Sequence, residues 1–216
     1  MLLAIDTSAG TSVAIVDRDR GMLAEHTSAD TRLHAEIIGT LILRCLRDAD
    51  ISPSELSGVV AGMGPGPFTG LRVGIAAAET FALGITRPVV RVVSHDAIAL
   101  AHYAAIGIDS TLDPGPLLVV TDARRREVYW SSFHGLDPQG VPVRVDAPGL
   151  ARPDELPSVV PGFDRYPRLD AAEVSAAALG LLAERMLAGA RPFAASAPLY
   201  LREADAVAST TVKRVS

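Results

Sequence analysis

The residues whose types and spacing come nearest to a recognisable chemistry are the glycines and prolines of segment 64–74, because glycine-rich loops often cradle phosphate groups. A phosphate cradle needs successive free backbone N–H groups, and Pro65 and Pro67 have none. The segment also lacks the Gly-Lys-Ser/Thr ending of a P-loop, and its glycines do not follow the Gly-x-Gly-x-x-Gly spacing. The loop therefore favours docking over catalysis.

The residues after this loop predict a helix over 69–83 with one unusually small face. Thr69 is the expected N-terminal cap, and Gly70, Gly74 and Ala78 recur at four-residue spacing. A glycine inside a helix costs about 1 kcal/mol relative to alanine, so Gly74 needs tight packing or a functional contact in return. Either a partner helix covers this face or the helix packs on its own sheet. If a partner covers it, Gly74→Arg breaks the association and leaves the fold intact.

The remaining candidate groups do not form a metal site or a hydrolase triad. Ser94, His95 and Asp96 are adjacent in the chain, and adjacent residues cannot assemble a nucleophile, a base and its orienting group. A metal site would need a His-x-x-x-His pair or well-placed carboxylates, and we expect no bound metal. No such pair occurs among the five histidines, which are His26, His34, His95, His102 and His134.

Length and composition indicate a globular protein of the cytoplasm. The 216 residues are 49% hydrophobic, which is enough to form the core of one large domain or two small ones. A net charge of −5 argues against a broad cationic surface but leaves room for a local basic patch. The single cysteine, Cys45, indicates a buried thiol in a reducing compartment. Asp6 interrupts the apolar start, so we expect no signal peptide, and we expect no membrane span.

The elements that must position these residues alternate between strands and helices, which is typical of an α/β layer. An antiparallel meander is predicted first, and a helix over 33–46 carries apolar residues on more than one face, so that one of its covers could be a partner. The strands are predicted at 2–5, 11–16, 22–27, 58–61 and 89–93, and a further helix at 96–104.

A second unit begins near Gly115 and repeats the pattern of strand, acid, turn and strand. Its strands are predicted at 117–121 and 127–133, around Asp122, and a helix follows over 171–187. The turn holds three arginines at 124–126 and no glycine that would let its backbone approach a phosphate closely, which argues against autonomous ATP hydrolysis. These arginines pair with acids of a partner, touch RNA phosphates or stay solvated.

Several motifs together resemble the TsaB (YeaZ) family over nearly the whole chain, with Pro67 where serine is more usual. They are segment 64–74, Ala-Ile-Asp-Thr-Ser at 4–8, Asp-Ala-Arg at 122–124, Glu-Val-Tyr at 127–129 and Pro-Leu-Tyr-Leu-Arg at 198–202. The resemblance implies a two-lobed α/β fold of the actin, sugar kinase and Hsp70 class (ASKHA, RNase H-like) with a degenerate nucleotide site. Residues 1–108 would form the N-terminal lobe and 109–216 a smaller C-terminal lobe.

The resemblance further implies a non-catalytic subunit that pairs with a TsaD-like transferase. That enzyme joins threonylcarbamoyl to N6 of adenosine 37 in tRNAs reading codons that begin with A. The implied partners are the TsaD-like subunit, a TsaE-like ATPase and a second copy when the chain is alone, with tRNA reached indirectly. No cofactor is expected on the chain itself, and ATP or ADP and metal are expected in the partner or at the shared interface. The alternative is a stand-alone ATP-dependent phosphotransferase of the same fold.

The resemblance also assigns residues, none of them catalytic. Asp6, Thr7 and Ser8 fall where active superfamily members hold phosphate and Mg²⁺, as a vestigial or shared nucleotide site. Alternatively, Asp6 ends a strand and the hydroxyls satisfy the turn. The helices over 33–46 and 69–83 are implied to form a bundle with the partner. The residues assigned to that interface are His34, Ile38, Leu41, Cys45, Pro65, Phe68, Thr69, Gly70, Leu71, Arg72, Gly74, Ile75 and Ala78.

Overall fold

A computed structural model describes residues 1–107 and 114–202, and the predicted lobe boundary at 108/109 lies outside the described residues. The strands of the first sheet are β1 (Leu2–Asp6), β2 (Thr11–Asp17), β3 (Gly21–Ser28), β4 (Gly58–Gly62) and β5 (Val89–Val92). Their order in the sheet is β3-β2-β1-β4-β5. β1, β2 and β3 form the predicted antiparallel meander, and β4 and β5 continue the sheet in parallel with β1.

Two helices cover one face of this sheet, α1 (His34–Asp48) and α2 (Phe68–Gly84). The buried residues of α1 recur at three- and four-residue spacing, which turns one side of the helix toward the sheet. They pack with alternate residues of the strands, such as Leu3 and Ile5, because successive side chains of a strand point to opposite faces. α1 and α2 therefore lie side by side over one core.

The chain then forms a second sheet and further helices, which are α3 (Ser94–Ala105), β6 (Leu117–Asp122), β7 (Val128–Leu136), β8 (Pro142–Arg144), β9 (Gly149–Ala151), α4 (Leu156–Val159), β10 (Arg168–Ala171) and α5 (Ala176–Ala188). The second sheet has the strand order β10-β6-β7-β8, and β9 pairs with β7. The other face of the first sheet packs on α5, and α3 packs on α5 and on the second sheet. α3 and α5 thus lie between the two sheets, and α4 covers the outer face of the second.

The predicted helix over 171–187 is wrong at its start. α5 begins at Ala176, where the hydroxyl of Ser175 accepts a hydrogen bond from the backbone N–H of Ala178 at 3.1 Å. Ala171 instead ends β10, which pairs in parallel with β6. Close packing fixes α5 against the first sheet, because a Cβ at Gly180 would lie 2.7 Å from a methyl carbon of Val16. Within the described ranges, no helix is both long and apolar enough to cross a membrane.

Candidate functional site

The carboxylate of Asp6 lies at the end of β1, where only 1% of the residue is exposed, and both of its oxygens accept hydrogen bonds. Its Oδ1 accepts hydrogen bonds from the backbone N–H of Ser8 at 2.8 Å and from the Ser8 hydroxyl at 2.6 Å. Its Oδ2 accepts one from the Ser94 hydroxyl at 2.5 Å. Burial raises the pKa of Asp6, and the bonds from Ser8 and Ser94 oppose that rise. These contacts match the turn interpretation of residues 6–8.

The Gly/Pro loop is pressed against this turn from the other side. A Cβ at Gly62 would overlap Asp6 Oδ2, and one at Gly66 would lie 2.8 Å from the Cα of Ser8. The loop is also tied to α3, because the N–H of Gly64 donates to the Ser94 hydroxyl at 3.0 Å. Its glycines therefore serve close packing around Asp6.

The small face of α2 packs on Thr7 of the same chain. The Thr7 hydroxyl donates to the carbonyl of Gly70 at 2.7 Å and accepts from the N–H of Gly74 at 3.1 Å, the two backbone groups that an α-helix pairs with each other. A Cβ at Gly70 would lie 2.7 Å from the Thr7 carbonyl oxygen, and one at Gly74 would overlap the Thr7 hydroxyl. Of the two interpretations left open, the structure shows internal packing.

Thr69 does not cap α2, and that prediction is wrong. The helix begins one residue earlier, at Phe68, because Pro67 has the extended backbone of an N-terminal cap residue. Thr69 lies inside the first turn with its side chain exposed.

Most residues assigned to the partner interface lie in the chain's own core, which corrects their assignment. Each is buried against the first sheet or the Gly/Pro loop, so it has almost no surface to offer a partner. Phe68, Thr69 and Arg72 keep an accessible surface. The buried residues are His34, Ile38, Leu41, Cys45, Pro65, Gly70, Leu71, Gly74, Ile75 and Ala78.

His34 and Cys45 have internal roles of their own. The Nδ1 atom of His34 lies 2.6 Å from the Thr11 hydroxyl, and burial lowers the pKa of His34. The thiol of Cys45 donates to the carbonyl of Val13 at 3.1 Å. Burial raises the pKa of Cys45 to about 12, so this thiol stays protonated and is no nucleophile at neutral pH.

The outward side of α1 and α2 carries two leucines in solvent, and we call it the helix-pair face. Leu43 of α1 is 69% exposed and Leu83 of α2 is 81% exposed. Small or short side chains precede each leucine by three, four or seven residues, on the same side of its helix, so another helix can approach this side closely. The residues are Gly39, Thr40, Ala76 and Thr80, all exposed. Neither leucine was among the residues predicted for the interface, although apolar residues on a second side of the predicted first helix indicated an exposed apolar side.

A cleft of about 350 Å³ separates the Gly/Pro loop from the β6–β7 turn. Residues 66–69 line one side, and the turn with Tyr129 lines the other. Tyr200 and Arg202 complete the lining from the C-terminal segment. The cleft is thus basic and aromatic.

The C-terminal segment crosses this cleft and binds both sides of it. The N–H of Leu199 donates to the carbonyl of Met63 at 2.9 Å, and the ring of Tyr200 lies 4.7 Å from that of Phe68. The guanidinium of Arg72 lies 3.6 Å from the Phe68 ring centre, and its Nε donates to the Tyr200 hydroxyl at 3.2 Å. Arg202 forms an ion pair with Glu127 across the cleft. Residues 198–202 thus link the two sheets.

A histidine between the two sheets is held uncharged by its surroundings. His95 is fully buried, with Nδ1 2.8 Å from the Ser131 hydroxyl and Nε2 2.9 Å from that of Thr121. Burial, helped by the charge of Arg144, lowers the pKa of His95 to about 3. Burial also raises the pKa of Asp96 to about 6, although Asp96 pairs with Arg144 at 2.8 Å.

Acid is expected to erode the stability that neutral His95 contributes. The unfolded imidazole titrates near 6.5 and the folded one near 3, so this stability is present above pH 6.5 and is lost as the pH falls toward 3. Asp96 acts oppositely, because burial raises its pKa from 3.8 to about 6. Its contribution to stability is therefore present below pH 3.8 and is lost as the pH rises toward 6. We expect the stability advantage of the wild type over His95→Gln to shrink by about 2 kcal/mol between pH 7 and pH 5 in urea titrations. A constant difference would contradict the buried neutral imidazole.

Within residues 1–107 and 114–202, no three His, Cys, Asp or Glu side chains cluster closely enough to hold a metal ion.

Comparison with known proteins gives consistent relatives. A family model described as "TsaD: tRNA N6-adenosine threonylcarbamoyltransferase" matches residues 13–142. An uncharacterised protein of Mycobacterium leprae is 39% identical over 160 residues, 72% of this chain and 40% of that protein. The tRNA threonylcarbamoyladenosine biosynthesis protein TsaB of Bacillus subtilis is 32% identical over 146 residues, 65% of this chain and 59% of that protein. The chain thus spans about half the length of the curated relatives it matches.

Solved structures agree with the fold class. YeaZ from Pseudomonas aeruginosa superposes with a TM-score of 0.71 at 27% identity, covering 88% of this chain and 92% of that one. The likeness, together with two sheets that enclose a helix layer, confirms the predicted α/β fold as the one that YeaZ has.

Proposed function

Because this chain belongs to the TsaB/YeaZ family, we propose that it is a non-catalytic subunit in the synthesis of threonylcarbamoyladenosine on tRNA. In this role it pairs with a TsaD-like transferase and supports transfer of threonylcarbamoyl to N6 of adenosine 37 in tRNAs reading codons that begin with A. The pairing would take place in the cytoplasm. A TsaE-like ATPase would join the assembled pair.

The helix-pair face is the observation that carries this proposal. Leu43 and Leu83 keep most of their surface in solvent, and burying a leucine yields about 1.5–3 kcal/mol. Small residues on the same sides of the two helices allow two helices of a partner to approach and complete a bundle. We assign this face to the TsaD-like subunit, and to a second copy of the chain when the subunit is absent.

The state of Asp6 supports a non-catalytic role. A carboxylate that holds Mg²⁺ or phosphate-bound water needs to be accessible to the ion, but Asp6 is 1% exposed and its oxygens accept hydrogen bonds from Ser8 and Ser94. The Gly/Pro loop also fills the space beside Ser8. We therefore place ATP or ADP and any metal in the partner or at the shared interface.

Leu83→Arg is expected to weaken binding to the TsaD-like subunit at least tenfold, because it buries an unpaired charge in the interface. Isothermal titration calorimetry with the two purified subunits measures this affinity. The matched control is Leu187→Arg, at a leucine of α5 that is 45% exposed, which should leave the affinity unchanged. Equal affinities for wild type and Leu83→Arg would exclude this side of α2 from the interface.

The proposed function itself is tested by threonylcarbamoyladenosine formation on tRNA in a reconstituted system, with and without the chain. Product should depend on the chain, fall with Leu83→Arg and persist with Leu187→Arg. If the same amount of product forms with and without the chain, the proposed function is contradicted and the alternative is a stand-alone phosphotransferase. Saturable ATP turnover by the isolated chain would then be the measurement that supports it.

A further inference from the structure

Six arginines form a continuous group around the cleft, and we call it the arginine cluster. Arg202 reaches the turn through Glu127 and the carbonyl of Arg124, 3.4 Å away. Arg125 lines both the cleft and a neighbouring cavity of about 330 Å³. The cluster consists of Arg72, Arg124, Arg125, Arg126, Arg152 and Arg202.

Positive charge exceeds negative charge in this cluster, although the whole chain carries −5. In the part of the chain that the structure describes, the carboxylates that contact this cluster or line its cavities are those of Asp122, Glu127, Asp154 and Glu155. Among the described residues, the side chains of Arg72, Arg126 and Arg152 have no carboxylate partner. These three arginines therefore carry charge that no described acid pairs with.

The turn holds three consecutive arginines in a backbone conformation that favours glycine. Arg124, Arg125 and Arg126 have φ angles of 66°, 53° and 64°, in the left-handed region. This conformation costs a residue other than glycine about 1–2 kcal/mol, whereas glycine adopts it freely. Three consecutive arginines in glycine's conformation are unfavourable for folding alone, and such strain is typical of functional sites.

We propose that the arginine cluster binds the phosphodiester backbone of tRNA held by the assembled pair. The proposal rests on the proposed function, and it replaces the expectation that tRNA is reached only through the partner. The arginines spread over two adjacent cavities, which suits a row of phosphates better than the single phosphate group of a small ligand. The aromatic rings of Phe68 and Tyr200 at the cleft add surfaces on which an unpaired base can stack.

The position of the cluster also fits RNA bound at a shared interface. The Arg124 guanidinium donates to the Thr31 hydroxyl at 2.6 Å, three residues before α1 begins. Thr69 of the first turn of α2 lines the cleft. The cluster therefore borders the N-terminal ends of both helices of the helix-pair face, where RNA on the partner can reach it.

The test compares Arg125→Gly/Arg126→Gly with Arg18→Gly/Arg20→Gly. Both variants lose two charges, but Arg18 and Arg20 lie in the β2–β3 turn at the opposite end of the first sheet. Glycine relieves the left-handed strain at 125 and 126, so the first variant should keep the melting temperature of the wild type. Binding of tRNA to the pair with the TsaD-like subunit is measured by fluorescence anisotropy over a salt series.

For Arg125→Gly/Arg126→Gly, the slope of log affinity against log salt should become shallower by about 1.5, because each lost phosphate contact removes about 0.7–0.9. The control should keep the wild-type slope. An unchanged slope with intact subunit pairing would overturn the RNA contact and leave the accessory role standing. Weaker pairing of the two subunits with an unchanged salt slope would overturn the RNA contact and indicate that the cluster binds an acidic protein surface. If the isolated wild-type chain binds ATP and Arg125→Gly/Arg126→Gly does not, the RNA contact is overturned in favour of a nucleotide.

Discussion

Gly74→Arg is expected to prevent the chain from folding. Any Cβ at this position overlaps the hydroxyl of Thr7, and that hydroxyl accepts the hydrogen bond from the N–H of Gly74. The arginine side chain would also place an unpaired charge in the core beneath α2. Overpacking and charge burial together are expected to exceed about 5 kcal/mol, which is comparable to the total stability of a small domain.

The measurement is the yield of soluble protein and its thermal unfolding followed by circular dichroism. Ala76→Arg is the matched control, because Ala76 lies two residues along the same helix with its side chain exposed. This control should fold and melt like the wild type while losing affinity for the TsaD-like subunit. A soluble, cooperatively melting Gly74→Arg protein would restore the prediction from sequence that this glycine faces a partner.

The spacing of Gly70, Gly74 and Ala78 predicted close packing against α2, but it did not indicate which residue packs there. Four-residue spacing of small side chains indicates that something approaches the helix closely, and it does. The neighbour is Thr7, 67 residues before Gly74 in the chain, and only the sheet topology brings the two together. For this reason the sequence could not separate internal packing from docking.

Regular elements were predictable because their hydrophobic patterns are long. β1 to β7 and α1 to α3 lie within a few residues of their predicted bounds, since each is either buried or amphipathic over several turns or residue pairs. Residues 135–175 were not, because β8 and β9 have three residues each and α4 has four. Such short elements form through pairing and burial, which leave no period in the sequence.

The two acids of the repeated hairpin pattern show the limit of motif reading at the candidate site. Asp6 and Asp122 both end a buried strand before a turn, yet Asp6 is buried and the Asp122 side chain is 69% exposed. The difference comes from the Gly/Pro loop and Ser94, which cover the first turn only. The left-handed arginines could not be foreseen either, because arginine disfavours that conformation.

Asp6→Ala is expected to destabilise the fold by about 3 kcal/mol rather than to remove an activity. It leaves the Ser94 hydroxyl and the N–H and hydroxyl of Ser8 without their acceptor in a buried site, and such losses cost about 1–3 kcal/mol each before partial relaxation. Chemical denaturation of the full chain should show a lower midpoint at an unchanged slope.

Two further variants separate this structural role from a catalytic one. Asp6→Asn keeps an acceptor oxygen for Ser8, and Ser94 can accept from the new amide, so its loss should be about half that of alanine. Asp122→Ala, in the second hairpin, removes an exposed carboxylate that accepts from the N–H of Arg124, and it should cost less than about 1 kcal/mol. If Asp6→Ala and Asp122→Ala instead shift the midpoint equally, Asp6 does not anchor the Gly/Pro loop. That result would favour a nucleotide-binding role for the turn that follows β1.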